Sequence, residues 1–116
     1  MDLGKLKELV NNFAKERDWD QFHSVKNLSM ALSVESSELL EIFQWMSEAD
    51  SNNLSSQPEK MQKVEEEVAD IFVYLLRIAS KTNINLEEAV IRKMEKNAKK
   101  YPVELARGNS KKYNEF

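Results

Sequence analysis

The chain has no cysteine, two glycines, two prolines and one histidine in 116 residues. Without cysteine there is no disulfide framework and no thiolate metal site, and a reducing compartment fits. The one histidine, His23, has no glutamate three residues before it. That excludes the pair of Glu-x-x-His motifs on which a di-iron helical bundle is built. Four glycines and prolines in total leave few breakpoints, which suits a helical fold and not a turn-rich β fold. No stretch is long enough to span a bilayer. The opening "MDLGKLKELVNNF" mixes charged and apolar residues and contains no signal-peptide core. A formal charge of −3 gives no bulk attraction to nucleic acid or a membrane surface. The expectation is a cytoplasmic protein that binds neither a nucleic acid polymer nor a membrane.

Apolar residues make up 41% of the chain and charged residues 32%, which is an ordinary globular balance. The length suits one domain, residues 1–116, with a modest core. Four segments carry helical periodicity. In the first, from Asp2 to Arg17, Leu3, Leu6, Val10 and Phe13 share a face. After the aromatic connector "RDWDQFH", Ser24 is placed to cap a second helix over Val25 to Met46, with the stripe Leu28, Leu32, Leu39, Ile42, Met46. The polar stretch 47–57 reads as a loop. Pro58 suits the first turn of a third helix that reaches Lys81. Its second half, "VADIFVYLLRIA", is apolar almost all round and therefore belongs inside something, including a second subunit in a chain this small. Asn85 and Glu88 have the spacing of a capping box and open a fourth helix that Pro102 stops. Residues 103–116 form a polar tail. The expected fold is an all-α antiparallel four-helix bundle that assembles into oligomers.

Against this greasy background, two acidic pairs stand out. In "SVESSELLEIFQWM" (33–46), Glu35 and Glu38 occupy the face that carries Leu32 and Leu39. On the third helix Glu67 and Asp70 repeat the three-residue step, Glu67 on the stripe Val64, Ile71, Ile78. Glu66, four before Asp70, is a geometric substitute for Glu67. Two bare carboxylates ~4 Å apart repel by about 4 kcal/mol at an effective dielectric near 20. Several such pairs rival the roughly 5–15 kcal/mol that holds a domain together. Protonation, a basic partner or a cation must offset them. Neither helix offers a basic residue on these faces; Arg77, two turns along, is the nearest. An all-oxygen set selects a hard divalent cation, Mg²⁺ or Mn²⁺, over Zn²⁺. The plain alternative is a solvated acidic face, which suits Glu41, Glu48, Glu65 and Glu66.

"ESSELLEIFQW", then "EEEVADIFVYL", then "KMEKNAKKYP" together resemble the MazG-like branch of the all-α nucleoside triphosphate pyrophosphohydrolases, in particular its small dCTP-pyrophosphatase-like members. "RDWDQFHSVKNLSMAL" and "YPVELARGNSKKY" extend the resemblance over most of the chain from Arg17 onward. It implies Mg²⁺-dependent cleavage of a (deoxy)nucleoside triphosphate between its α- and β-phosphates, giving the monophosphate and pyrophosphate in nucleotide-pool house-cleaning, with dCTP-like or modified dNTPs as candidates. By position it makes Glu35, Glu38, Glu67 and Asp70 the metal ligands. It relates Lys93, Asn97, Lys100 and Tyr101 to the phosphate chain, and Trp19, His23, Trp45 and Tyr74 to base and sugar. It also implies a homo-oligomer, a dimer or a tetramer built as a dimer of dimers. A carboxylate left over from metal binding can accept a proton from the attacking water, with Glu38 and Glu41 as the candidates. A reading of a different class stays open at this point: a non-catalytic helical interaction module whose acidic pairs mark a partner groove.

Overall fold

The structure is a computed structural model that describes all of residues 1–116, and it contains helices and turns with no strand. Helix α1 (Leu3–Glu16) opens where the Asp2 side chain accepts the Lys5 N–H, which satisfies one of the free donors of the first turn. It closes in a Schellman motif. Asp18 takes a left-handed φ of 54°, its N–H bonds the Lys15 carbonyl, and the Trp19 N–H bonds the Ala14 carbonyl. Aspartate is one of the few side chains that tolerate this region. Gln21 Nε2 fixes the turn further by donating to both the carbonyl and the carboxylate of Asp18. A 3-10 turn, Asp20–Phe22, follows, and Ser24 caps α2 (Val25–Phe43) by accepting the Asn27 N–H.

Helix α4 (Pro58–Thr82) carries proline at its start and ends where Asn83 adopts a left-handed φ of 57°. Helix α5 (Leu86–Lys100) is capped by Asn85, which accepts the Glu88 N–H. These four long helices match the expected segments. Three local details differ. The polar stretch 47–57, read as loop, holds a one-turn helix α3 (Glu48–Ser51) and a 3-10 turn (Leu54–Ser56). Ser47 makes this possible by capping Asp50, and Ser51 Oγ returns its hydrogen to the Glu48 carbonyl. Helix α2 stops at Phe43 and not at Met46, with the Met46 N–H closing a tighter turn onto the Phe43 carbonyl. Only the Asn85 half of the capping box forms, because the Glu88 carboxylate pairs with Arg92 four residues on. In the tail, α6 (Val103–Ala106) and a 3-10 turn (Tyr113–Glu115) follow Pro102.

The chain divides into two compact units, Met1–Asn83 and Ile84–Phe116. In the first, α4 is the central element and packs on both α2 and α1. Its fully enclosed apolar centre is small: Ala14 of α1, Leu28 of α2, and Leu76 and Ala79 of α4. Leu28 and Leu76 are each 1% exposed. Leu76→Ala is expected to cost about 2–5 kcal/mol, read as a lower urea midpoint, because few neighbours are available to collapse into the space. An unchanged midpoint would mean that this contact is not the core. In the second unit, the Tyr101 ring meets Tyr113 and Phe116 edge-on at 6.3 and 5.9 Å, which ties the tail's aromatics to the end of α5.

Candidate active site

The helical register that the sequence laid down brings the acidic residues of α2 and α4 face to face. Glu35, Glu38 and Glu67 each place a carboxylate oxygen within 4.8 Å of the other two. Glu66 is exposed and outside this set. Glu35 and Glu67 are half-buried, and Oε2 of each is shut off from solvent without a hydrogen-bond donor. Ionised carboxylates only accept, so this pair must hold either a proton or a cation. With a proton as the only option, the hydrogen bond to Glu67, burial, and the charges of Glu38 and Asp70 push Glu35 up to about 7. Glu67 is also raised. The proton shared with Glu35 pulls it down, but burial, Glu38 and Asp70 outweigh that.

None of the chain's ion pairs reaches this cluster. A shallow hollow on its outer side is lined by Glu38, Glu41, Ile42, Glu67 and Lys63. Lys63 escaped the sequence reading, although it stands one helical turn before Glu67 and the i, i+4 spacing was the available signal. Arg77, seven residues past Asp70, faces elsewhere. It bonds Asn11 at 2.9 Å, the Asp20 carboxylate and His23 Nδ1. Three oxygen donors, two of them with an orphaned buried atom, and no nitrogen or sulfur ligand fit a hard divalent cation such as Mg²⁺.

Beside the cluster lies a cavity of about 450 Å³. Its walls are apolar residues of α1 and α4, among them Leu9, Phe13, Ala14 and Val73, together with Trp19, His23, Asp70, Tyr74 and Arg77. The Schellman turn delivers Trp19 to this wall, where its ring meets Phe13 edge-on at 5.7 Å and His23 at 6.1 Å. Tyr74 links cavity and cluster. Burial raises its phenol first, and the charges of Glu35, Asp70 and Glu38 raise it further, so it stays a neutral donor. His23 is lowered, chiefly by burial and then by the Arg77 charge, and is neutral at physiological pH. The cavity thus unites Trp19, His23, Tyr74 and Asp70. Asp70 lies outside the set of three converging carboxylates. Trp45 is 91% exposed and not part of the wall. Lys93 and Lys100 are exposed on α5, and Asn97 and the adjoining Tyr101 are half-buried. Lys100 Nζ rests 4.8 Å over the Tyr113 ring.

An all-helical scaffold with converging carboxylates on two neighbouring helices, opening beside an aromatic cavity, defines a carboxylate-cluster helical protein. The MazG-like family model matches residues 30–116, and the chain belongs to the MazG-like family. It is 42% identical to dCTP pyrophosphatase 1 of Rattus norvegicus over 114 residues, 98% of this chain and 67% of that protein. The identity to dCTP pyrophosphatase 1 of Homo sapiens is 39% over the same length. Among solved structures, a pyrophosphatase from Archaeoglobus fulgidus is similar at a TM-score of 0.78 and 42% identity, covering 85% of this chain and 91% of that one.

Proposed function

We propose that this protein is a nucleoside triphosphate pyrophosphohydrolase that cleaves deoxynucleoside triphosphates between the α- and β-phosphates, releasing the monophosphate and pyrophosphate. The observation that carries the reading is the cluster of Glu35, Glu38 and Glu67, two of them with orphaned buried oxygens, beside an aromatic-walled cavity of about 450 Å³, roomy enough for a nucleobase. The relatives named dCTP pyrophosphatase 1 support dCTP-like or modified dNTPs as substrates and a house-cleaning role.

Glu35, Glu38 and Glu67 hold Mg²⁺, with Mn²⁺ as a substitute, and Asp70 completes the acidic set from the cavity side. Bound there, the cation neutralises phosphate oxygens and supplies Lewis acidity at the phosphorus. The protein's own part is positioning and proton handling. Trp19 and Tyr74 face the base and sugar, and His23 offers a hydrogen bond in the same wall; Trp45 is assigned to the base through its position in the family motif. Lys93, Asn97, Lys100 and Tyr101 are assigned to the phosphate chain through their positions in the family motif alone. Glu41, exposed at the outer hollow beside Glu38, accepts the proton of the attacking water. If Glu41→Gln retains full turnover, that role passes to Glu38.

The protein acts as a homo-oligomer, a dimer or a dimer of dimers. Only four apolar residues are fully enclosed in the chain, while Leu40, Val34 and Met30 of α2 and Val68 of α4 are more than half exposed. Light scattering in solution is expected to give two or four times the 13.5 kDa chain mass. A monomer would leave those faces unexplained. No helix is long and apolar enough to cross a membrane, and the assigned location is the cytoplasm. The function is tested by incubating the protein with each dNTP and Mg²⁺ and resolving the products. Monophosphate and pyrophosphate are expected in equal amounts. Orthophosphate as the first product, or no product from any common or modified dNTP, overturns the assignment.

A further inference from the structure

Arg77 is the only charged residue in the buried core, 4% exposed, and it lies in the cavity wall. Nη1 donates to Asn11 Oδ1 at 2.9 Å, and Asn11 Nδ2 in turn donates to Ser80 Oγ at 3.1 Å. Nη2 donates to the Asp20 carboxylate, which Lys81 also approaches at 3.2 Å, and it faces His23 Nδ1 at 3.2 Å. One guanidinium thereby ties α1, α4 and the connector that carries His23 to a single point. The contact to His23 has a chemical consequence. A guanidinium has donors only and keeps its proton, so an imidazole nitrogen beside it must accept. A neutral imidazole with an accepting Nδ1 carries its proton on Nε2.

We infer that Arg77 is a positioning residue: by donating to His23 Nδ1 it holds the imidazole in its Nε2–H form and makes it a fixed donor in the cavity wall, for an acceptor atom on the base of the bound nucleotide. Cytosine supplies such acceptors at O2 and N3. The ligand's identity rests on the pyrophosphohydrolase reading, whereas the tautomer does not. Without Arg77 the ring is free to turn and to carry its proton on either nitrogen, so the donor is no longer held toward the base and the hydrogen bond is lost; with the proton on Nδ1 the base meets a lone pair, acceptor against acceptor. Arg77 touches neither the reacting phosphate nor its carboxylates in this scheme, so its loss falls on substrate affinity and not on the chemical step.

The chain has a single histidine, so a ¹⁵N long-range imidazole spectrum of the nucleotide-free protein reports His23 alone. The wild type is expected to show a protonated Nε2 and a bare Nδ1. Arg77→Met is expected to show exchange between both tautomers, and its KM for dCTP with Mg²⁺ is expected to rise about tenfold, the loss of one hydrogen bond, with kcat within about twofold. Arg77→Lys, which restores one donor, falls between the two. A wild-type proton on Nδ1 overturns the inference. So does a folded Arg77→Met protein that keeps both the Nε2–H form and the wild-type KM. Should Arg77→Met fail to fold, the wild-type spectrum and a KM for Arg77→Lys about threefold above wild type decide. If no dNTP is turned over, the nucleotide reading fails by itself and the spectra alone judge Arg77.

Discussion

Glu38→Gln is expected to lower dNTP turnover by about three orders of magnitude while leaving the helical circular-dichroism spectrum intact. The substitution keeps the side chain's shape and removes one of three carboxylates that converge within 4.8 Å. Losing a single preorganised electrostatic contact at a reacting centre costs about 10²–10³ in kcat, and losing a metal ligand also costs occupancy. The fold has no reason to suffer. Glu38 is exposed, forms no ion pair, and contributes repulsion to its two neighbours. The metal-free variant is therefore expected to melt no lower than the metal-free wild type. A marked drop in melting temperature alongside the lost turnover would make Glu38 a structural residue, and wild-type turnover would remove it from the site.

The second large effect is on stability against pH. Glu35 is pushed up to about 7 by the hydrogen bond with Glu67, by burial, and by Glu38 and Asp70. A carboxyl group with a raised pKa binds its proton more tightly in the folded state. Its contribution to stability is thus fully present below the ordinary carboxylate range and fades as pH rises through about 7. In chelator, the melting temperature is expected to fall between pH 5.5 and 8. Solvent screening at this half-exposed edge leaves about 1 kcal/mol of the effect, which is about 4 °C for a domain of this size. At lower pH a separate group takes over: the hydrogen bond from Arg77, then that from Lys81, holds Asp20 below the usual range, so its support is lost only on acidification through its lowered pKa. Saturating Mg²⁺ reverses the upper trend. At a hundred times its dissociation constant a ligand adds about 2.7 kcal/mol, and at pH 8 the cation meets no competing proton. A metal-free melting temperature that rises from pH 5.5 to 8 would contradict the crowding of these acids.

Much of this was legible in the residues because helical periodicity is a local signal. Ser24, Pro58 and Asn85 marked the helix starts by chemistry that needs no tertiary context, and the three-residue steps set Glu35 beside Glu38 and Glu67 beside Asp70, although the structure gathers only Glu35, Glu38 and Glu67 within 4.8 Å and leaves Asp70 in the cavity wall. The long-range partnerships were less visible. That Arg77 would turn from the acids toward Asp20, 57 positions earlier, depends on how α1 and its connector cross α4. The signal that was available there is the lone arginine in "VADIFVYLLRIA", since a charge inside an apolar run needs a buried partner. The one-turn helix at Glu48–Ser51 was hidden because Ser47, Asp50 and Ser51 suit a loop and a cap equally well. For Trp45 the resemblance implies a place near the base, while in the structure its ring is 91% exposed and outside the cavity wall.

The most direct test is a cation titration without nucleotide. Manganese binding, followed by loss of the free-ion paramagnetic resonance signal in chelator-stripped protein, is expected to be saturable at pH 8, strongly weakened at pH 5.5, and abolished in Glu35→Gln/Glu67→Gln. Equal uptake by that double variant, or none by the wild type at millimolar ion, would mean that the acids of α2 and α4 gather for some reason other than holding a metal.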